Sequence, residues 1–557
     1  MLFNFTYAKS SVIEHSGDMT KVNFSPDLKR EPVFFRGKLK NAIMFREGMS
    51  ALRDVVVSDL RYKKKDRSEY MEWLKGEEMK RLSKHMEGKS DLVEKMNIVN
   101  AELKVLQDRQ YARWKPYYDA RNKLRKYLEA VNPAFRWVFD PVITVHPDEL
   151  FFECFSQDES SYARLGAGYD LFEHIAEYEC GTTNIDFSAQ LFGEMQKIRT
   201  YKSTHFEIDP GGFQVETTGE ETYKEKKIDL PDSWVRGFLQ VQSAMSLPMV
   251  SFTLSPVDIY NMCLFMKRNR EKESPRALRY ELTPGKPVTA VFEPWEYKLE
   301  CGSIWEGEEA VSVRTWGRRR LHILERLIPV TKKVKVFLLG RGLPSFYVMY
   351  LDDMIFTLGL SGWTANDWSG EGNFDLLSSR AKVDVYETSA VLNYLKEKKF
   401  APLNEIVFQT KLERSKVSGA LNLWCQSGKV TYDLAGETYR YRELTKDQIP
   451  LDDLTYRNER EKSAGRFLLE GAVSITSRKE MKETGLEISG KIKDGKNIYD
   501  TNLTLDRDDR IIKAECGCYW HKQNKLQKGP CEHIISLRNF SAREENFKFI
   551  KETKKFS

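Results

Sequence analysis

The chain has 557 residues and a mass of 65.0 kDa, enough for several domains whose cores need no disulfides. Its 88 Lys and Arg nearly cancel 82 Asp and Glu, leaving a formal net charge of +6, so nucleic-acid binding would have to come from local patches rather than from the whole-molecule field. Residues 1–30 lack a basic start followed by an apolar stretch, no apolar run nears the ~18 residues of a membrane helix, and five of the eight cysteines (Cys154, Cys180, Cys263, Cys301 and Cys425) are scattered. A soluble chain in a reducing cytoplasm, without a membrane partner, is expected.

The expected fold class is α+β multidomain, with an N-terminal helical hairpin, a mixed α/β body, a winged-helix-like segment and a C-terminal ββα zinc finger. Residues 1–56 read as strands and loops, with Val33 to Phe35 and Ala42 to Phe45 as core pieces. Residues 57–131, dense in Lys, Glu, Met and Leu, read as two long helices broken at Gly88. In the second, Leu92, Met96, Val99, Leu103 and Leu106 recur at spacings of four and three, a seam for an antiparallel hairpin or a partner helix.

Residues 133–376 read as an α+β body rich in aromatics and punctuated by Pro and Gly, with strands at Val142 to Val145, Met249 to Leu254 and Val334 to Leu339. Its acidic cluster, Asp148, Glu149, Glu153, Asp158 and Glu159, has the residue types for cation binding or acid–base work, although loop carboxylates are usually just solvated. Gly166-Ala167-Gly168 lacks the third glycine of a dinucleotide fingerprint. No phosphate-binding loop, nucleophile elbow or helical zinc-protease motif occurs, so the expectation is a non-enzymatic protein.

Residues 380–445 follow the order of a winged helix: a helix around Val391, Leu392 and Leu395, a second from Leu403 to Gln409, a turn, a third from Glu413 to Gln426 ended by Gly428, then strands at Val430 to Tyr432 and Thr438 to Tyr441. In the third helix Val417, Leu421 and Trp424 share one face, leaving Arg414, Ser415, Lys416, Ser418 and Asn422 outward, types suited to phosphate and base-edge contacts. The segment's 11 basic and 8 acidic residues do not separate a DNA-reading module from a protein-docking one.

The last domain, residues 455–557, carries the most specific pattern: Cys516-Gly517-Cys518, twelve residues, then Cys531-Glu532-His533. In an extended segment residues i and i+2 face the same side, so Cys516 and Cys518 can offer both sulfurs to one ion, with Gly517 placing no side chain between backbone and metal. The Gly529-Pro530 turn would deliver Cys531 and His533 at a helix's first turn. Three thiolates and an imidazole form a closed tetrahedral donor set for zinc; His521, three residues past Cys518, is the rival ligand. From residue 511 onward ten basic residues face five acidic ones. Lys522, Lys525 and Lys528, with Tyr519 and Trp520 close by, offer cationic and aromatic groups for a nucleic-acid strand, or the aromatic pair caps a small core.

The CxC, spacer, CxH order resembles the SWIM zinc finger over residues 485–540, including the hairpin-like stretch Leu486 to Leu505 ahead of it. Segments such as Phe346 to Trp368 are similar in texture to long bacterial SWIM-finger proteins. The resemblance implies zinc binding and a role in DNA or protein interaction. It also implies, as partners, a MoxR-type ATPase and a von Willebrand A-like protein. The chain itself lacks a complete metal-ion adhesion motif, because Asp186 to Gln190 fails at its final serine. DNA contact through the zinc finger and winged helix is the leading expectation, and a protein adaptor without nucleic-acid contact the alternative.

Overall fold

The computed structural model describes residues 12–16, 19–24, 33–58, 141–184, 192–193, 195–201, 203–208, 232–271, 275–341, 343–362, 368, 383–444, 459–481, 485–506, 511–526 and 529–553, with scattered positions between 94 and 123. The chain divides into two compact units, one of Met1–Ser58 with Phe139–Ser557 and the other of Asp59–Val138. In the second unit the described positions are helical; Leu92, Met96 and the break at Gly88 lie outside them.

The first unit is a mixed α/β, multidomain assembly of several mainly antiparallel sheets. At its centre lies an eight-stranded sheet in the order 250–254, 333–338, 345–350, 354–360, 161–168, 149–155, 142–145, 181–184, each pair antiparallel. Strands Val142–Val145 and Glu149–Phe155 are buried along their whole length, as strands covered on both faces must be. Gly166 and Gly168 lie within the strand Ser161–Gly168, not in a loop before a helix.

One cover is the helix Ala42–Val57, which lies against Glu149–Phe155, Ser161–Gly168 and Met354–Leu360. Sequence reading takes residues 42–45 as a core piece among strands and loops. The structure instead starts a 16-residue helix there, with the Asn41 side chain accepting from Met44 N at 3.1 Å. Burial of Phe45, Met49, Leu52 and Val55 on the sheet outweighs the weak helix preference of Val55 to Val57. The helix Asp232–Met245 also packs on the sheet, with Phe238 and Trp234 edge-on to Phe155 at 4.8 and 5.6 Å.

Three helices, Val385–Lys398, Leu403–Thr410 and Arg414–Gln426, precede the strands Val430–Asp433 and Thr438–Tyr441; Phe400–Pro402 joins as a third strand beside 438–441. The first helix opens with a reciprocal cap in which Asp384 and Glu387 each accept the other's backbone N–H, at 2.8 and 2.9 Å. Val391, Leu395, Ile406, Val417 and Leu421 are fully buried in a core belonging to this module.

The C-terminal domain is a four-stranded antiparallel meander, Val473–Met481, Gly485–Asp494, Asn497–Leu505 and Ile511–Cys516, covered by helices Glu459–Leu469 and Glu532–Thr553. A plain ββα arrangement therefore understates it. Along the second strand Leu486, Ile488, Gly490 and Ile492 alternate inward, meeting Leu503, Phe467 and Leu537. Gly490 admits the long helix: a Cβ there would lie 2.4 Å from Leu537 and 2.7 Å from the Ser474 carbonyl oxygen. Among the described residues, no helix is long and apolar enough to cross a membrane.

Candidate metal centre

The last strand ends at Cys516, and Cys518 forms the N-terminal cap of the short helix Tyr519–Asn524, its sulfur accepting from His521 N at 3.4 Å. Gly529, at φ +86, turns the chain back. Cys531 then begins the long helix, its carbonyl accepting from Ile535 N at 3.0 Å, and His533 follows on the first turn. A strand end and a helix start are thus brought to one point.

There the three sulfurs and one His533 ring nitrogen all lie within 4.8 Å of one another, and all four residues are buried. Ile534, Ala514, Tyr499 and Trp520 pack around them, and the His533 ring lies between Phe467 at 5.4 Å and Tyr499 at 4.3 Å. Both ring nitrogens of His533 are buried with no hydrogen-bond partner. The nearest carboxylates, Asp494 and Glu532, stand 3.8 and 3.6 Å away, beyond hydrogen-bond range. A buried imidazole left this way costs free energy unless something else meets it.

The thiols interact closely. Contact with the Cys531 thiol, against the effect of burial, draws Cys516 well below the ordinary thiol value, while the same contact pushes Cys531 up. Thr501 Oγ1 donates to the Cys516 sulfur at 3.6 Å. Sulfurs that share protons at this range are the ligand atoms a cation would take in place of those protons. The cluster has the donors, closeness and burial to hold a metal ion.

His521 is buried, with Nδ1 unpartnered, but lies outside the group of four. Gly517 plays a smaller part than its spacing suggests: an added Cβ would meet no atom within 4 Å. Tyr519 is 80% exposed, whereas Trp520 is half-buried, donating to the Gly529 carbonyl at 3.4 Å beneath the Arg460 guanidinium at 4.3 Å. Lys522 and Lys525 are exposed; Lys528 lies outside the described residues, as does the segment Asp186 to Gln190.

A second group also has ligand atoms within 4.8 Å: His322 and Glu325, three residues apart, joined by the distant Cys263 that no spacing rule would add. Its members already satisfy each other. His322 Nδ1 meets Glu325 at 2.6 Å, Lys267 takes the other Glu325 oxygen, and Cys263 donates to the Leu321 carbonyl at 3.6 Å. With an ammonium already on its carboxylate, this is a hydrogen-bonded cluster rather than a ligand set.

On the helix Arg414–Gln426, Arg414 is exposed and donates to Asn404 at 2.6 Å, Ser415 is exposed beside Glu413, and Lys416 pairs with Glu387 at 3.2 Å. Ser418 is half-buried, and Asn422 accepts from Ser246 of the body at 3.3 Å. The acidic cluster of the body is likewise engaged. Arg440 grips Asp148 through two bonds of 2.8 and 3.0 Å and reaches Glu149 at 3.0 Å; Arg442 faces Glu153 at 3.2 Å and Arg320 faces Asp158 at 3.4 Å. Burial would raise the Asp433 carboxyl, but Arg164 and Arg440 overrule it and hold it below the ordinary carboxylate value. Asp148, Glu149 and Glu153 thereby join the large sheet to the three-helix module, while Asp158 is paired within the body.

Comparison with known proteins finds no matching family and no matching curated protein. Among solved structures, the chain is similar to the proliferating cellular nuclear antigen of Entamoeba histolytica at a TM-score of 0.31 and 9% identity, over 59% of this chain and 98% of that one. It is similar to A. fulgidus PCNA bound to the C-terminal region of FEN-1 at 0.27 and 10%, over 41% and 91%. Similarity this slight carries no argument about fold or function.

Proposed function

We propose that Cys516, Cys518, Cys531 and His533 bind one zinc ion in a SWIM-type site, and that the chain is a non-enzymatic interaction protein. The observation carrying this is the buried set of three sulfurs and an otherwise unpartnered imidazole within 4.8 Å. Zinc favours sulfur and nitrogen donors in a tetrahedron, and four protein ligands leave no open position for a reacting water. The ion pins the meander's last strand to the start of the long helix. Metal content tests it: about one zinc per wild-type chain and about none in Cys531→Ser. Equal zinc in both would reject the reading.

The zinc domain presents Tyr519, Lys522 and Lys525 to solvent, a cationic and aromatic surface suited to a DNA strand. The winged-helix-like module adds the exposed Arg414 and Ser415 as a second contact surface. Binding of a labelled duplex should weaken steeply between 50 and 200 mM salt, by roughly tenfold or more if several phosphates are neutralised. No binding at low salt would remove DNA from the account.

One observation favours the adaptor reading for the module. Its Val385, Tyr386 and Phe408 are 82, 76 and 78% exposed, while Asn422 is turned to the body. Large apolar side chains in water suit a protein partner, and the SWIM resemblance suggests a MoxR-type ATPase or von Willebrand A-like protein. Co-purification lost on Phe408→Glu, with DNA binding unchanged, would identify this role.

A further inference from the structure

A cleft of about 210 Å³ lies where the large sheet meets the three-helix module. His146, Cys180 and Thr182 line it from the sheet side, and Lys396, Lys399 and Arg442 from the module. The volume is below that of sites for drug-sized molecules, so its occupant is a compound of a few carbons.

His146 is only 2% exposed. Its Nε2 lies 2.8 Å from the Tyr441 carbonyl, and because a carbonyl oxygen only accepts, Nε2 carries the proton. Nδ1 is then a lone-pair acceptor, buried and without a partner. Burial, and then Arg440, lower this histidine to about 3, so the ring stays neutral and Nδ1 stays an acceptor across the physiological range. That nitrogen therefore lacks a hydrogen-bond donor.

It also carries unbalanced positive charge. Arg442 is matched by Glu153, and Glu443 by Lys429 at 3.0 Å and the Tyr441 hydroxyl at 2.6 Å. Neither Lys396 nor Lys399 forms an ion pair within 4 Å among the described residues, although Lys396 shares the field of Glu443; Lys399 Nζ lies 5.7 Å from the Tyr441 ring centroid. Lys399 is held at the cleft by a backbone with φ +74, fixed by Tyr441 N donating to its carbonyl at 2.7 Å.

We infer that this cleft is a binding site for a small anionic, hydroxyl-bearing metabolite, its phosphate or carboxylate on Lys396 and Lys399 and its hydroxyl donated to His146 Nδ1. Recognition by two ammonium groups and one acceptor selects for both features together, since an anion without a donor leaves Nδ1 unmet. The site is independent of the metal centre.

Calorimetric titration of the full chain tests this with three probes: glycerol 3-phosphate, malate, and sulfate, which has charge but no donor. Saturable binding of glycerol 3-phosphate or malate is expected with a dissociation constant below about 1 mM, at least tenfold tighter than sulfate. The first probe assigns a phosphate and the second a carboxylate. The double variant Lys396→Gln with Lys399→Gln, whose backbone demands are unchanged, should lose at least tenfold. With selective 15N-histidine labelling, one resonance absent from His146→Gln should move with the hydroxyl-bearing probe and not with sulfate. Failure of both metabolite probes to saturate, equal binding of sulfate, or binding indifferent to the lysine substitutions would each overturn the assignment.

Discussion

In the C-terminal domain both ring nitrogens of the buried His533 lack a partner and three thiols crowd beside it. At the junction between the large sheet and the three-helix module, by contrast, the carboxylates of Asp148, Glu149, Glu153 and Asp433 each face an arginine. The first interior has the donors to hold a metal ion and leaves its imidazole unmet by the polypeptide. The second supplies arginines for its carboxylates, which hold two modules together. The same residue types thus point outward or inward according to whether their polar atoms are already met.

Removing the expected ion is the largest way to break this contrast. Stripping the chain with a strong chelator should loosen residues 459–553, read as a loss of amide-exchange protection there, while protection in the large sheet persists; structural zinc contributes on the order of 10 kcal/mol in comparable small domains. Uniform loss over the whole chain, or none, would count against separate organisation. Arg440→Met should act in reverse, leaving Asp148 without its two-bond partner and the buried Asp433 with Arg164 alone at 3.7 Å, and costing about 3 kcal/mol in urea unfolding, with metal content unchanged.

Acid should sharpen the distinction further. His146 is lowered to about 3 in the folded protein by burial, then Arg440 and Arg164, with Asp148 opposing. Because the folded value lies below the ordinary 6.5, the unfolded chain takes up its proton first, so stability from this residue is full above 6.5 and falls as pH drops toward 3. By pH 5 the loss is about 2 kcal/mol, and His146→Gln should lack that part of the pH 7 to 5 decline. Parallel declines in the two proteins would show that the imidazole is not held neutral.

Packing effects are smaller. Gly490→Ala should cost about 1–3 kcal/mol by pressing on Leu537 and the Ser474 carbonyl, seen as a lower melting temperature for the C-terminal transition. Gly517→Ala, with open space around its Cβ, should shift it by less than about 0.5 kcal/mol.

The clustering of Cys516, Cys518, Cys531 and His533 was readable because it is encoded in short spacings: CxC needs a strand end and CxH a helix start, and both occur. The three helices and hairpin between 385 and 441 were readable for a similar reason, their apolar periodicity being local. The strand Val473–Met481 was not, because Ser477, Arg478, Lys479 and Glu480 leave it exposed along most of its length and hide any alternation. The helix Ala42–Val57 was obscured by Val55 to Val57, whose strand preference yields to burial against the sheet. The roles of Asp148 and Glu153 were beyond sequence reading altogether, since Arg440 and Arg442 stand nearly 300 residues away along the chain.

X-ray absorption at the metal edge of the purified full-length chain tests the central claim most directly. The account predicts zinc with three sulfurs at about 2.3 Å and one nitrogen at about 2.0 Å. A metal shell dominated by oxygen, or a chain that carries no stoichiometric metal after purification without chelators, would contradict it.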